Sequence, residues 1–258
     1  MIITHIGKYF APDKGGIETV TELLSQIKSK SIKQVNILCF SKSNNLNSKK
    51  SSSVNILRCN SFVLFSQPIS FTYFFKGIYL LYKSDIIHLH FPNIIGQLLC
   101  FFTNKPVIVH WHSDIIGKYV LNAIITPFHH LLLSKCKVII CTSKEYSLGS
   151  KILRNYHRKI KIIPLGITDP VIYNNSQPDL IKEKNYALSV GRLVSYKGFL
   201  DLVKAFKLLK SDHILYIVGN GPQYSQLIQL ITELNLNHRI FILTNVSDSD
   251  LKQLYSHA

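Results

Sequence analysis

No two cysteines in this chain stand at a C-x-x-C spacing. Cys39, Cys59, Cys100, Cys136 and Cys141 are scattered, which argues against a disulfide framework or a cysteine metal site. They read instead as small buried hydrophobes in a reducing compartment. Charge is also sparse: 17% of the 258 residues are charged and 47% are apolar, which excludes the composition of a disordered chain. The start, MIITHIGKYF, has neither a basic leader nor an apolar run of signal-peptide length, so it reads as a first strand and points to the cytoplasm. An uninterrupted membrane span is missing too. Residues 62–82 approach the length, but Pro68, Lys76 and Gly77 break them, and a loop followed by an amphipathic helix, docked on the core or lying on a membrane surface, fits better. There is no tandem repeat, no helix-turn-helix signal and no basic-aromatic RNA motif, so a nucleic-acid partner is not expected.

Acidic residues are scarcer than basic ones, 14 against 30, for a net charge of +16. Residues 1–168 hold 21 Lys/Arg against 6 Asp/Glu, or +15, and residues 169–258 hold 9 against 8, or +1. Two readings stand. A positive first half would attract phosphorylated substrates or the acidic headgroups of an inner membrane face. Lysine drift on a solvated surface would give the same count.

What is present is a regular alternation of short apolar runs with helix-length segments, the pattern of βαβ units and a parallel sheet. Strands are expected at 1–6, 34–40, 54–58, 85–90, 106–110, 137–142 and 160–164, with helices near 16–30, 70–83, 93–102, 119–134 and 144–154. The polar run 41–53 reads as a loop. Turn formers and two prolines make 169–184 a linker between a first domain, 1–168, and a second, 185–258. In the second domain strands at 186–190, 214–218 and 239–243 alternate with helices at 197–210, 223–234 and 248–257. That is about half of a doubly wound domain.

Four segments carry candidate chemistry. Gly15 and Gly16 open the helix after the first strand, where free N–H groups and the helix dipole suit a phosphate; an ordinary βα turn explains them equally. His110-Trp111-His112-Ser113-Asp114 stands at the carboxyl end of a strand, facing the crevice where open α/β sheets bind ligands. Its His-x-His has no third ligand at a characteristic spacing, so no metal is assigned. Val190-Gly191-Arg192-Leu193-Val194-Ser195-Tyr196-Lys197-Gly198 places two cations at a helix start, where Arg offers a planar fork and Lys a point charge for a diphosphate. Gly219 and Gly221, in Val218-Gly219-Asn220-Gly221-Pro222, read first as a tight turn and second as a wall of a nucleotide pocket.

Taken in order, GGIE (15–18), HWHSD (110–114), CTSKEYS (141–147), IIPLGI (162–167), VGRLVSYKG (190–198) and IVGNGP (217–222) resemble the retaining glycosyltransferases of family four. The resemblance covers nearly the whole chain. It implies the GT-B fold, α/β with two Rossmann-like domains, the second incomplete here. It further implies a nucleotide-diphosphate sugar as co-substrate without a separate cofactor, a glycan or lipid-linked acceptor, and transfer of a hexose with retention and without a metal. Gly15 and Gly16 would approach the donor's phosphate and sugar, with Gly166, Gly219 and Gly221 lining the donor site. His112 would sit beside the transferring sugar, and Arg192 and Lys197 would grip the diphosphate. Members of the family carry a further segment with two glutamates seven residues apart. By that comparison the donor site is expected to lack one wall, and a sheet edge to lie uncovered. An inactive remnant that binds membranes or partner transferases is one alternative, and a nucleotide-sugar epimerase on the same plan another.

Overall fold

The computed structural model of the protein describes every residue except Lys14, Lys28, 42–52, 65–66, 116–118, 167–185 and Ser211, and of 119–121 only the backbone. Most of the expected loop at 41–53 and all of the linker at 169–184 lie outside the described residues. The chain divides into two units, Met1–Gly166 and Ile167–Ala258.

The first unit runs β1 (Ile2–Ile6), α1 (Gly16–Ser25), β2 (Gln34–Ser41), β3 (Val54–Asn60), β4 (Phe62–Leu64), β5 (Gln67–Ile69), α2 (Phe71–Lys83), β6 (Ile86–Phe91), α3 (Ile94–Leu99), β7 (Val107–Trp111), α4 (Tyr119–Lys135), β8 (Val138–Cys141), α5 (Lys144–Gly149) and β9 (Ile160–Ile162). Seven strands form one parallel sheet in the order β3-β2-β1-β6-β7-β8-β9. The sequence foretells a parallel sheet covered on both faces in its largely apolar runs: β2 is buried from Val35 to Ser41. The order reverses between β1 and β6, so a crevice at their carboxyl ends is where such a sheet takes a ligand. Beneath it the core packs Ile6, Phe40, Tyr73, Phe91 and Trp111, with Phe40 on Tyr73 and Phe91 on Trp111 stacked at 4.0 and 3.8 Å. All five cysteines are buried and unpaired.

Helix starts follow local chemistry. The side chains of Ser70, Asn93 and Ser143 accept from the backbone N–H groups of Tyr73, Gly96 and Tyr146 at 3.1, 2.9 and 3.1 Å. Segment 62–82 resolves into the antiparallel pair β4–β5 and all but the last residue of α2; the hairpin is not foreseen because FVLFSQPIS shows no alternation. No helix among the described residues is long and apolar enough to cross a membrane.

The second unit runs β10 (Tyr186–Val190), α6 (Phe199–Lys207), β11 (Ile214–Val218), α7 (Tyr224–Glu233), β12 (Ile240–Leu243) and α8 (Asp248–His257). Its strands pair in parallel as β10-β11-β12. Leu193, Phe199, Val203, Leu215, Leu227 and Ile231 form its core. α6 starts later than the pattern suggests, after a 3-10 turn at Ser195–Lys197, because Gly198 takes a left-handed φ of 71° and so stands outside the helix. At the edge of the sheet, Phe241, Ile242 and Leu243 of β12 are half-buried.

Candidate functional site

In the first unit the candidate residues gather at the carboxyl ends of β1, β6 and β7. The loop after β1 is pinned from several sides. Tyr73 Oη and Asn93 Nδ2 both donate to the Gly7 carbonyl, at 2.8 and 2.9 Å, and the Arg58 guanidinium donates to the carbonyls of Phe10 and Ala11. Gly15 precedes α1 in an extended conformation and Gly16 begins it; both are exposed. Glu18 folds back in the first turn, so that a Cβ on Gly15 would meet its carboxylate. The helix start therefore already holds an anion, and a phosphate arriving there needs Glu18 to turn away. Gly16 has open space where a Cβ would stand. Gly16→Ala is thus expected to leave the thermal midpoint unchanged, so that any loss of ligand binding it causes reports contact with the ligand; a fall in the midpoint would contradict this reading.

Within HWHSD, His110 and Trp111 are buried, while His112, Ser113 and Asp114 are half-buried. Trp111 is buried and donates from Nε1 to Asp114 Oδ1 at 2.8 Å, and Asp114 also accepts from Ser150 Oγ at 3.0 Å, which ties β7 to the turn after α5. His112 is half-buried, and its N–H holds the Phe91 carbonyl at 3.1 Å. Its ring is one of five. His5 on β1, His88 and His90 on β6 and His110 on β7 share one sheet face with it, because parallel register sets His5 opposite His88 and His90 opposite His110. His5 Nδ1 lies 3.0 Å from His90 Nε2, and His90 Nδ1 lies 3.1 Å from His112 Nε2. His88 stacks on His5 and His90 at 4.8 Å between centroids, and His110 stacks on His112 at 4.1 Å. The pattern H-x-H on two neighbouring strands, 88–90 and 110–112, was a usable signal in the sequence; His5 was not.

Burial keeps these rings neutral. It lowers His5 and His110 from 6.5 to about 4 and His112 to about 3, a charge on His110 adding to the effect at His5 and His112. His88 and His90 fall well below the ordinary range for the same reason. His88 Nε2 and both ring nitrogens of His110 are buried without a hydrogen-bond partner. Ring nitrogens of His5, His88 and His90, and of His90, His110 and His112, lie within 4.8 Å of one another, so residue types that bind a metal meet in space although their spacing in sequence hides it. An imidazole binds an ion in its own plane, yet His88 lies within 6° of parallel to His90, and His110 within 10° of His112. The rings as arranged do not converge on one point.

In the second unit, the loops after β10 and β11 are zipped together. Gly191 N–H donates to Val218 O at 2.9 Å, Leu193 N–H to Asn220 O at 3.0 Å and Gln223 N–H to Leu193 O at 3.0 Å. A Cβ on Gly219 would strike the Gly191 carbonyl and one on Gly221 the Leu193 carbonyl, so these two glycines are required by packing. The loop after β10 carries Arg192 on its surface. Leu193 is anchored in the core while Arg192 and Lys197 on either side are exposed, with Lys197 Nζ 5.9 Å from the centre of the Tyr196 ring. Arg192 makes no side-chain hydrogen bond among the described residues. Gly166, at the end of the first unit, is exposed and has open space at its Cβ position.

Two Rossmann-like α/β units, each with candidate residues at the carboxyl ends of parallel strands, have the plan of the GT-B fold. Sequence comparison specifies this further. The model of "Glycosyltransferase Family 4" matches residues 14–169 and that of "Glycosyl transferases group 1" matches residues 173–258; the chain belongs to glycosyltransferase family 4. It is similar to the D-rhamnosyltransferase WbpZ of Pseudomonas aeruginosa, 32% identical over 65% of this chain and 45% of the relative. It is also similar to the O-antigen chain mannosyltransferase C of Escherichia coli, 26% identical over 93% of this chain and 67% of the relative. The matched part is thus about half to two thirds of these relatives. In fold it resembles Anabaena HepE, solved in complex with UDP and glucose, with a TM-score of 0.71 and 18% identity, over 100% of this chain and 72% of that one.

Proposed function

We propose that this chain moves a hexose from a nucleoside-diphosphate sugar to a cell-envelope glycan or lipid-linked acceptor, with retention of anomeric configuration and without a metal ion. The observation that carries the reading is the pair of exposed cations, Arg192 and Lys197, on a loop whose backbone is locked between two strands. Breaking the bond between the anomeric carbon and the diphosphate leaves negative charge on the leaving oxygen. Cations carried on a fixed backbone can stabilise that charge where it develops. The acceptor oxygen then bonds to the anomeric carbon on the face the diphosphate leaves, and its proton passes to a phosphate oxygen. The likeness to O-antigen transferases supports the acceptor class. Titration calorimetry of the full chain with UDP-, GDP- and ADP-sugars tests the donor. Arg192→Ala and Lys197→Ala should each weaken binding about tenfold or more, since a hydrogen bond to a charged group contributes about 1.5–3 kcal/mol. Lys204→Ala, on α6, should not. Equal affinities in all these proteins would remove the clamp.

The acceptor side bears on a lipid surface. On α2, Phe71, Phe75, Tyr79 and Tyr82 are 75%, 69%, 60% and 80% exposed, at spacings that align them in one stripe. Lys83 Nζ lies 6.0 and 5.8 Å from the Tyr79 and Tyr82 ring centres. Aromatic rings beside lysine suit the headgroup region of an acidic membrane. The full chain should float with phosphatidylglycerol vesicles and not with phosphatidylcholine vesicles, and Phe75→Ser with Tyr79→Ser should abolish flotation; flotation unchanged by these substitutions would exclude this stripe.

A further inference from the structure

Three of the five histidines form a single hydrogen-bonded row. His5 and His90 have centroids 5.3 Å apart with nitrogens 3.0 Å apart, and His90 and His112 have centroids 5.4 Å apart with nitrogens 3.1 Å apart. Those pairs of distances require the rings to meet edge to edge, with the two nitrogens nearly on the line between centroids, which is the geometry of a sound hydrogen bond. His88 and His110 lie against this row as stacked neighbours.

A neutral imidazole has one N–H and one bare nitrogen, so each ring constrains the next. If His112 donates from Nε2 to His90 Nδ1, then the His90 proton is on Nε2 and is donated to His5 Nδ1, and the His5 proton is on Nε2. The opposite sense puts every proton on Nδ1. Mixed states set two lone pairs or two N–H groups against each other in a buried place and are costly. Of the two consistent states, the first gives all three rings the Nε2–H tautomer that free histidine favours in water. In it His112, the one half-buried member of the set, keeps a bare Nδ1 that the row does not engage.

We infer that His90 and His5 are positioning residues: they lock His112 in the Nε2–H tautomer, so that its Nδ1 is a fixed acceptor for a hydroxyl of the donor sugar. The hydroxyl half of this statement rests on the donor reading above; the tautomer half does not. A sugar hydroxyl can donate or accept, and a locked acceptor selects its orientation before binding, which reduces the ordering that binding must supply. His88 and His110 do not join the row. They exclude water from it and from the face of His112.

The test is long-range proton–nitrogen correlation spectroscopy of the full chain, labelled with nitrogen-15 at histidine, at neutral pH and without donor. One tautomer, Nε2–H, is expected on His5, His90 and His112. His90→Phe retains a ring in the stack and removes both hydrogen bonds, so the two nitrogens of His112 should shift toward averaged positions. His90→Asn, whose carboxamide oxygen can accept from His112 Nε2–H, should restore the single tautomer. His5→Phe touches His90 and not His112, yet should also shift the His112 nitrogens, and it gives the same readout if His90→Phe fails to fold. A merely structural role would leave the His112 tautomer unmoved by His5→Phe. A tautomer mixture in the unsubstituted protein, or no response to either substitution, would overturn the lock. So would stoichiometric uptake of zinc by the chelator-treated chain with loss of this pattern, which would make the cluster a metal site. Added nucleotide sugar should move the His112 Nδ1 resonance. A bound donor that leaves it unmoved overturns the acceptor role, whereas a donor that does not bind is a failure of the donor reading alone.

Discussion

Acidifying the protein from neutral pH toward pH 4 is expected to unfold its first unit over a narrow interval. Six histidines act together: burial lowers His5, His110 and His129 to about 4 and His112 to about 3, and sets His88 and His90 well below their ordinary range. In the unfolded chain each regains the ordinary 6.5. Between those values the unfolded chain binds protons that the folded chain refuses. Stability is therefore full above pH 6.5 and falls as pH drops through the window toward 4. Each ring contributes a slope of about 1.4 kcal/mol per pH unit once its unfolded form is protonated. Six such rings remove, within about two pH units, a stability of the size a whole domain has. The single tryptophan, Trp111, is buried in this unit beside the cluster, so its fluorescence reports the transition. Removing one titrating ring, as in His110→Phe, should make the pH dependence less steep. A fluorescence signal that is flat from neutral pH to pH 4 would contradict this account of the cluster.

Gly219→Ala is expected to cost about 3 kcal/mol, the upper range for forcing extra volume into a packed site. No rearrangement of a flexible side chain can relieve it, because the atom in the way is the backbone carbonyl oxygen of Gly191. Gly221→Ala meets the Leu193 carbonyl and should behave alike. For a unit of this size the loss lowers its thermal midpoint by on the order of 15 °C. Far-UV circular dichroism of the full chain during heating would detect it, while Trp111 fluorescence at room temperature stays as it was. If the midpoint does not move, the tight contact between the two loops is wrong. The same substitution separates roles that sequence alone left joined. Gly219 and Gly221 hold Arg192 in place through the backbone; nothing in their geometry requires contact with a nucleotide.

The strands follow from features visible in the chain, since largely apolar runs such as QVNILCF and IIHLHF mark strands that are covered on both faces. Helix ends were less legible. α1 ends at Ser25 rather than near 30, and α5 ends at Gly149, the following residues forming a separate 3-10 segment from Leu153. Such ends depend on local hydrogen bonds that periodicity does not encode. The candidate site divides the same way. Arg192, Lys197 and His112 are legible because each belongs to a short contiguous motif. The histidine cluster is legible only in part: H-x-H at 88–90 and at 110–112 hints at it, but that the two pairs meet each other and His5 appears only once the strands pair. The H-x-H at 110–112 has no partner nearby in sequence; strand register supplies His90, His88 and His5 from elsewhere.

The central claim is that a nucleoside diphosphate is held by Arg192 and Lys197, and calorimetric titration of the full chain with UDP and GDP tests it most directly. The account predicts saturable binding of at least one diphosphate that the Arg192→Ala, Lys197→Ala double substitution abolishes while the fold, followed by circular dichroism, is retained. Binding of equal strength in the doubly substituted chain would contradict it.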